Sequence, residues 1–110
     1  MEITETKAAD VMTIALKGRL DAATSKTTED RILKTIESGE RRLVLDLGGL
    51  SYVSSVGLRV LMVTAKRMKS VQGKLAVCSL QPSVKEVFEI AGFLTIFRVF
   101  ETCAQASKEL

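Results

Sequence analysis

The 110-residue chain contains no histidine, and this single absence removes Ser-His-Asp and Cys-His catalysis, imidazole metal sites and a histidine pH switch together. Aromatic residues are only 5% of the sequence, too few for the stacking platforms of single-strand nucleic-acid binders. No apolar run approaches the roughly 18–20 residues that span a bilayer, and Met1 to Asp10 has acidic residues but no apolar core of a secretion signal. Two cysteines, Cys78 and Cys103, are too few for a disulfide framework. Cys78 lies in an apolar run where a free thiol packs as a small hydrophobe, so a reducing cytoplasm is the expected compartment. Acids and bases nearly balance: 16 basic against 13 acidic residues give a net charge of +3, dispersed along the chain rather than gathered into a nucleic-acid stripe.

What remains is 46% apolar and 26% charged, the composition of one compact domain over residues 1–110, with no linker or repeat. Residues 2–7 and 11–19 read as an opening hairpin about the polar step Ala8-Ala9-Asp10, with Met12, Ile14 and Leu16 alternating in the second strand. A helix is predicted from Thr24 to Ser38, with Thr24 or Ser25 as cap, Ile32, Leu33 and Ile36 as its apolar stripe, and Gly39 as its stop. Leu43 to Leu47 is nearly continuously apolar, as in a strand buried on both faces, and Gly48-Gly49 is expected to end it. A helix follows from Ser54 or Ser55 to Ser70, then a strand over Lys74 to Cys78 and a helix opened by Pro82 and closed by Gly92. A strand near Ile96 to Phe100 and a helix from Thr102 complete the order ββαβαβαβα. The expected fold is α/β, a mixed sheet with a mainly parallel core and helices packed against it.

The segment Leu50-Ser51-Tyr52-Val53-Ser54-Ser55-Val56-Gly57-Leu58-Arg59 stands beyond the carboxyl end of the buried strand, where open α/β sheets collect ligands and modifications. Neither serine is followed three residues later by Glu or Gln, so no carboxylate neutralises the first helical turn. Gly57 inside that turn costs roughly 0.5–1 kcal/mol relative to alanine, which implies a close approach to the backbone. At 100° per residue, Leu58, Leu61, Met62, Ala65 and Met68 share one arc, the expected core face. Val56, Val60 and Val63 fall opposite, and that second apolar face implies a partner's surface. Ser55-Val56-Gly57 is half of a nucleophile elbow, but Val53 replaces its first glycine and no histidine exists to act as base. Gly48-Gly49 belongs to neither phosphate-binding glycine pattern. An enzyme is not expected, and no metal or cofactor.

Gly18-Arg19-Leu20-Asp21-Ala22-Ala23-Thr24, Leu43 to Leu47, Leu50 to Leu61 and Gly73 to Cys78 together resemble the STAS domain of bacterial anti-sigma factor antagonists, over nearly the whole chain. The resemblance implies binding to an anti-sigma factor that is also a serine kinase of the histidine-kinase-like ATPase fold, with release of a sigma factor. It implies phosphorylation of a serine at the helix start, which by position is Ser55, with Ser54 as second choice, and reversal by a PP2C-type phosphatase. Asp21, Ala23 and Thr24 are expected beside it, sharing a contact surface with Ser54, Ser55, Val56, Gly57, Arg59, Val60 and Val63. The residue before the phosphorylated serine is commonly aspartate in the family and is Ser54 here. The family also contains unphosphorylated scaffolds and regulatory subunits, of stressosome or lipid-transport type, which form the rival reading; neither nucleic acid nor membrane is an expected partner.

Overall fold

The computed structural model describes residues 1–110. Five strands, β1 (Glu2–Ala8), β2 (Val11–Leu20), β3 (Arg42–Val53), β4 (Lys74–Cys78) and β5 (Arg98–Phe100), form one sheet in the order β1-β2-β3-β4-β5. β1 and β2 are antiparallel, joined by a tight turn in which Ala9 and Asp10 both have positive φ (50° and 67°), the backbone that matches hairpin twist. The β2–β3, β3–β4 and β4–β5 pairs are all parallel. Their crossovers are α1 (Ser25–Glu37), α2 (Ser55–Ser70) and α3 (Pro82–Ile90), the last followed by a 3-10 turn at Phe93–Thr95; α4 (Cys103–Glu109) ends the chain. The predicted element order is therefore the observed one.

Alternation along the strands divides the interior in two. Ile14, Leu16, Leu43, Leu45, Leu47 and Val77 face a large core roofed by α1, α2 and α3, in which Phe88, Phe93 and Phe97 stack with ring centroids 5.4–5.9 Å apart. Val11, Val44, Ala76 and Cys78 face the other way, against Ala106 and Leu110 of α4. β3 is thus covered on both faces, as its apolar run requires.

Three expectations are corrected here. β3 does not stop at Gly48-Gly49 but runs on to Val53. Pairing with β2 (Lys17 with Gly49, Gly18 with Leu50) keeps the backbone extended, and two register shifts, each leaving one extra residue in β3, absorb the irregularity. Beyond Leu45 the buried positions are Leu47, Leu50 and Val53, a spacing of three that strict strand alternation does not produce. The last strand is only Arg98–Phe100, because the chain first spends a 3-10 turn placing Phe93 and Phe97 in the core. The third correction concerns the cysteines: Cys78 on β4 and Cys103 at the start of α4 are not free thiols but a disulfide, their Cα atoms 5.2 Å apart.

β1 is tied to α1 through Glu5, whose carboxylate accepts from the Thr35 hydroxyl and, at 3.1 Å, from the Arg31 guanidinium. The Thr35 bond holds the Glu5 pKa below its ordinary value; burial opposes it, and the Arg31 hydrogen bond and the Arg31 and Lys34 charges add to the lowering. A lowered carboxylate pKa contributes stability that is complete above the unfolded-state value, near 4.5, and is lost as pH falls through the folded-state value. Glu5→Gln is therefore expected to flatten the acid limb of a stability–pH curve measured by urea unfolding, the curves of variant and wild type converging at low pH.

Candidate functional site

The parallel pairing of β2 and β3 ends at Leu20 and Val53, so the two loops that follow leave the sheet side by side. One carries Asp21 to Thr24 into α1 and the other carries Ser54 into α2. The expected adjacency of the two segments is present in the structure, and it follows from strand register alone.

Backbone contacts fix the start of α2. The Ser54 amide donates to the Leu20 carbonyl at 2.9 Å, and the Ser54 hydroxyl accepts from the Gly57 amide at 3.1 Å. Ser54 is therefore the N-cap, satisfying one of the orphan donors of the first turn. Gly57 lies against the same Leu20 carbonyl: a Cβ there would stand 2.5 Å from that oxygen, 2.9 Å from Leu20 Cγ and 3.0 Å from a Val53 methyl. The close approach inferred from the sequence is thus the crossing of α2 over the end of β2. Because the nearest obstacle is backbone, Gly57→Ala is expected to lose about 2–3 kcal/mol, read as a lowered urea midpoint with unchanged slope.

With Ser54 occupied as cap, Ser55 is the first helical residue, exposed, and its hydroxyl has no hydrogen-bond partner. The amides of Ser55 and Val56 belong to the turn that helix geometry leaves without internal acceptors. No acidic residue lies in this turn. Arg59, one turn further on, is exposed and makes neither an ion pair nor a hydrogen bond. Together these groups form a locally positive surface with an accessible nucleophilic hydroxyl at its centre.

The neighbouring turn is built differently. The Thr24 hydroxyl donates to the Arg19 carbonyl at 2.7 Å and accepts from the Asp21 amide at 3.0 Å. Asp21 Oδ1 accepts from the Ala23 amide at 3.0 Å. Thr24 keeps the cap position of α1 without a capping bond, since its oxygen is turned back into this loop. Asp21 and Thr24 thus shape the loop, while Ala22 and Ala23 present its exposed surface. Between the two helices Ala22, Lys26, Glu29, Val56, Arg59 and Val63 line a shallow groove of about 400 Å³.

Two of the expected contact residues are inside the molecule. Val60 is 3% exposed and belongs to the main core, and Gly57 is buried under Leu20. The buried stripe of α2 is Gly57, Val60, Leu61, Thr64 and Met68, rotated from the arc expected from Leu58, Leu61, Met62, Ala65 and Met68. α1 packs along α2 and covers the flank that carries Val60, which leaves Val56 (46% exposed) at the open end and Val63 half-covered. Tyr52, the only tyrosine, joins the surface unforeseen: it is exposed at the end of β3 and stacks under the Arg19 guanidinium, 4.1 Å from the ring centroid. Its signal was an aromatic residue at a position that the glycine pair seemed to place in a loop.

No helix is long and apolar enough to cross a membrane. The model of the STAS domain matches residues 2–106. A Bordetella bronchiseptica protein described as the anti-sigma factor antagonist BtrV is 46% identical over 99 residues, 90% of this chain and 85% of that protein. Among solved structures, an anti-sigma factor antagonist of Thermotoga maritima superposes with a TM-score of 0.93 at 18% identity, covering 97% of this chain and 92% of that one. The Bacillus protein SpoIIAA has been solved unphosphorylated and phosphorylated, with TM-scores of 0.81 and 0.76, identities of 20% and 19%, and coverage of 96% and 98% of this chain and 92% and 98% of those chains. A sheet, helix order and helix start built in this way, matched over nearly the whole chain, place the protein in the STAS domain family, among the anti-sigma factor antagonists.

Proposed function

We propose that this chain is a non-catalytic protein-interaction switch of the cytoplasm: it binds an anti-sigma factor that is a serine kinase of the histidine-kinase-like ATPase fold, releases the sigma factor, and is turned off by phosphorylation on Ser55. The observation that carries this reading is the division of labour between the two serines. Ser54 is committed to the backbone of α2, and Ser55 beside it is exposed with an unbonded hydroxyl. Of the two, only Ser55 can be esterified without loss of the cap, which favours it over Ser54 as the modified residue. The contact surface is then Ala22 and Ala23 on one loop and Ser55, Val56 and Arg59 on the other, with Tyr52 and Arg19 at the margin. A PP2C-type phosphatase would restore the unmodified form. That a structural neighbour, SpoIIAA, is known in a phosphorylated form supports the chemistry without fixing the residue here.

The electrostatics give the switch its sign. A phosphoserine adds about −1.5 to −2 charges at the positive end of α2, which stabilises the helix rather than melting it. In the free protein Arg59 lies one turn away, within reach of the new dianion. Against a partner the same dianion is desolvated, so the modification acts on binding and leaves the fold alone.

The test is capture from the native organism's lysate with Ser55→Ala and Ser55→Asp baits, followed by mass spectrometry and by phosphosite mapping after incubation with ATP. Recovery of an ATPase-type kinase by the alanine bait alone, with phosphate on Ser55 of the wild type, is the expected result. Equal capture of one non-kinase partner by both baits would make the chain a constitutive scaffold and Ser55 only part of a capped helix.

A further inference from the structure

The largest concavity of the molecule is at the opposite end of α2 from Ser55, about 820 Å³ against about 400 Å³ for the groove beside Arg59. Its floor is apolar: Met62, Ala65 and Met68 from α2, Leu75 from β4, and Phe97. Ile96, 49% exposed, forms part of the lip. Lys66 and Lys69 stand one turn apart on the helix bank, and no carboxylate lines the groove; Lys74 and Arg98 border it on the strand side but belong to the sheet face of Ala76, where the Arg98 guanidinium lies 5.5 Å from the Phe100 ring centroid. None of the four is in an ion pair, although the chain forms five elsewhere. Arg98 donates to the Glu109 carbonyl, and the three lysines are free.

Unpaired like charges one turn apart on the helix bank repel one another until an anion enters, and the apolar floor gains only when an apolar group covers it. A ligand satisfying both is an anionic amphiphile. A nucleotide fits less well: Phe97 is 5% exposed, so there is no open aromatic face for a base, and the Gly73 amide is already bonded to the Met68 carbonyl, so no backbone nest awaits a phosphate. Methionine and aliphatic side chains instead suit a flexible chain that adopts the shape of its site. We propose that this groove binds a free long-chain carboxylate, the acyl chain lying on Met62, Ala65 and Leu75 and the head group held by Lys66 or Lys69.

The test is a ¹H–¹⁵N NMR titration of the full chain with dodecanoate below its micelle concentration, with dodecyl maltoside as an uncharged head and acetate as a charge without a chain. Dodecanoate is expected to shift Met62, Leu75 and Ile96 saturably, with about a fourfold loss of affinity for each methylene removed. The double variant Lys66→Glu, Lys69→Glu alters only exposed side chains; with its melting temperature checked, it is expected to bind at least about tenfold more weakly. Shifts elsewhere on the protein, equal binding of the maltoside, or indifference to the charge reversal would overturn the proposal. So would a failure of dodecanoate where an acidic amphipathic peptide shifts the same residues, which would assign the groove to a protein segment. The Ser55 variants leave this groove intact, so the outcome is independent of the switch.

Discussion

Ser55→Asp is expected to weaken binding to the kinase recovered by the alanine bait by about a hundredfold, about 2.7 kcal/mol, while its melting temperature stays at or slightly above that of wild type. The two halves of this expectation have one origin. A carboxylate at the first position of α2 meets the unsatisfied amides of the first turn and has Arg59 one turn away, so the isolated domain tolerates it. In the complex the same carboxylate is taken out of water against a surface matched to a neutral serine. Ser55→Ala should preserve both affinity and stability, because the hydroxyl it removes bonds to nothing in the structure. Calorimetric titration and thermal melts of the three forms check the result. An aspartate variant that binds like wild type would remove the electrostatic basis of the switch, and one that melts well below it would mean that Ser55 supports the fold.

Opening the Cys78–Cys103 disulfide is expected to cost about 3.5 kcal/mol, the loop-entropy value for a separation of 25 residues. The enclosed segment contains α3, the 3-10 turn and β5, and the bond fastens α4, a helix of seven residues that would not persist alone. α4 and the Leu110 that follows it supply Ala106 and Leu110 to the second core, against which Phe100 and Cys103 also pack. Against a total stability of about 5–15 kcal/mol for a domain of this size, the loss is large. Cys103→Ser is the suitable variant, since Cys103 is only half-buried, whereas a hydroxyl at fully buried Cys78 would add a desolvation cost of its own. Urea unfolding with and without dithiothreitol should separate the wild-type midpoints and leave those of Cys103→Ser coincident. Coincident wild-type curves would show that the bond carries no stability in solution. Under reducing conditions the same shift gives the stability that remains.

How far the sequence foretold these features depended on whether the signal was local. The helix starting at Ser54 or Ser55, the proline-opened α3, the stop at Gly39 and the doubly buried β3 are written in neighbouring residues, and all were legible. Gly48-Gly49 misled because a glycine pair reads as a terminus, whereas β2 beside it supplies the pairing that keeps the strand extended. Val60 misled because a helical wheel shows two apolar faces without showing that α1 covers one flank of the second. The cysteine bond was invisible for a related reason: only the packing of α4 on the far face of the sheet brings residue 103 to residue 78. At the site, the adjacency of the two loops was recoverable from the motifs, but the separation of Ser54 as cap from Ser55 as free hydroxyl needed coordinates.

The anchoring of α2 at Leu20 has an evolutionary consequence. The helix start is held by main-chain groups of Leu20 and Ser54, by the Ser54 hydroxyl cap and by the hydrogen that stands for a side chain at Gly57, so its shape does not depend on the side chains of Ser55, Val56 and Arg59. In the proposed switch, Ala22, Ala23, Ser55, Val56 and Arg59 are therefore a replaceable address on a fixed frame. Cells that carry several such domains can keep their circuits apart by changing those few letters, with no repacking of the interior behind them.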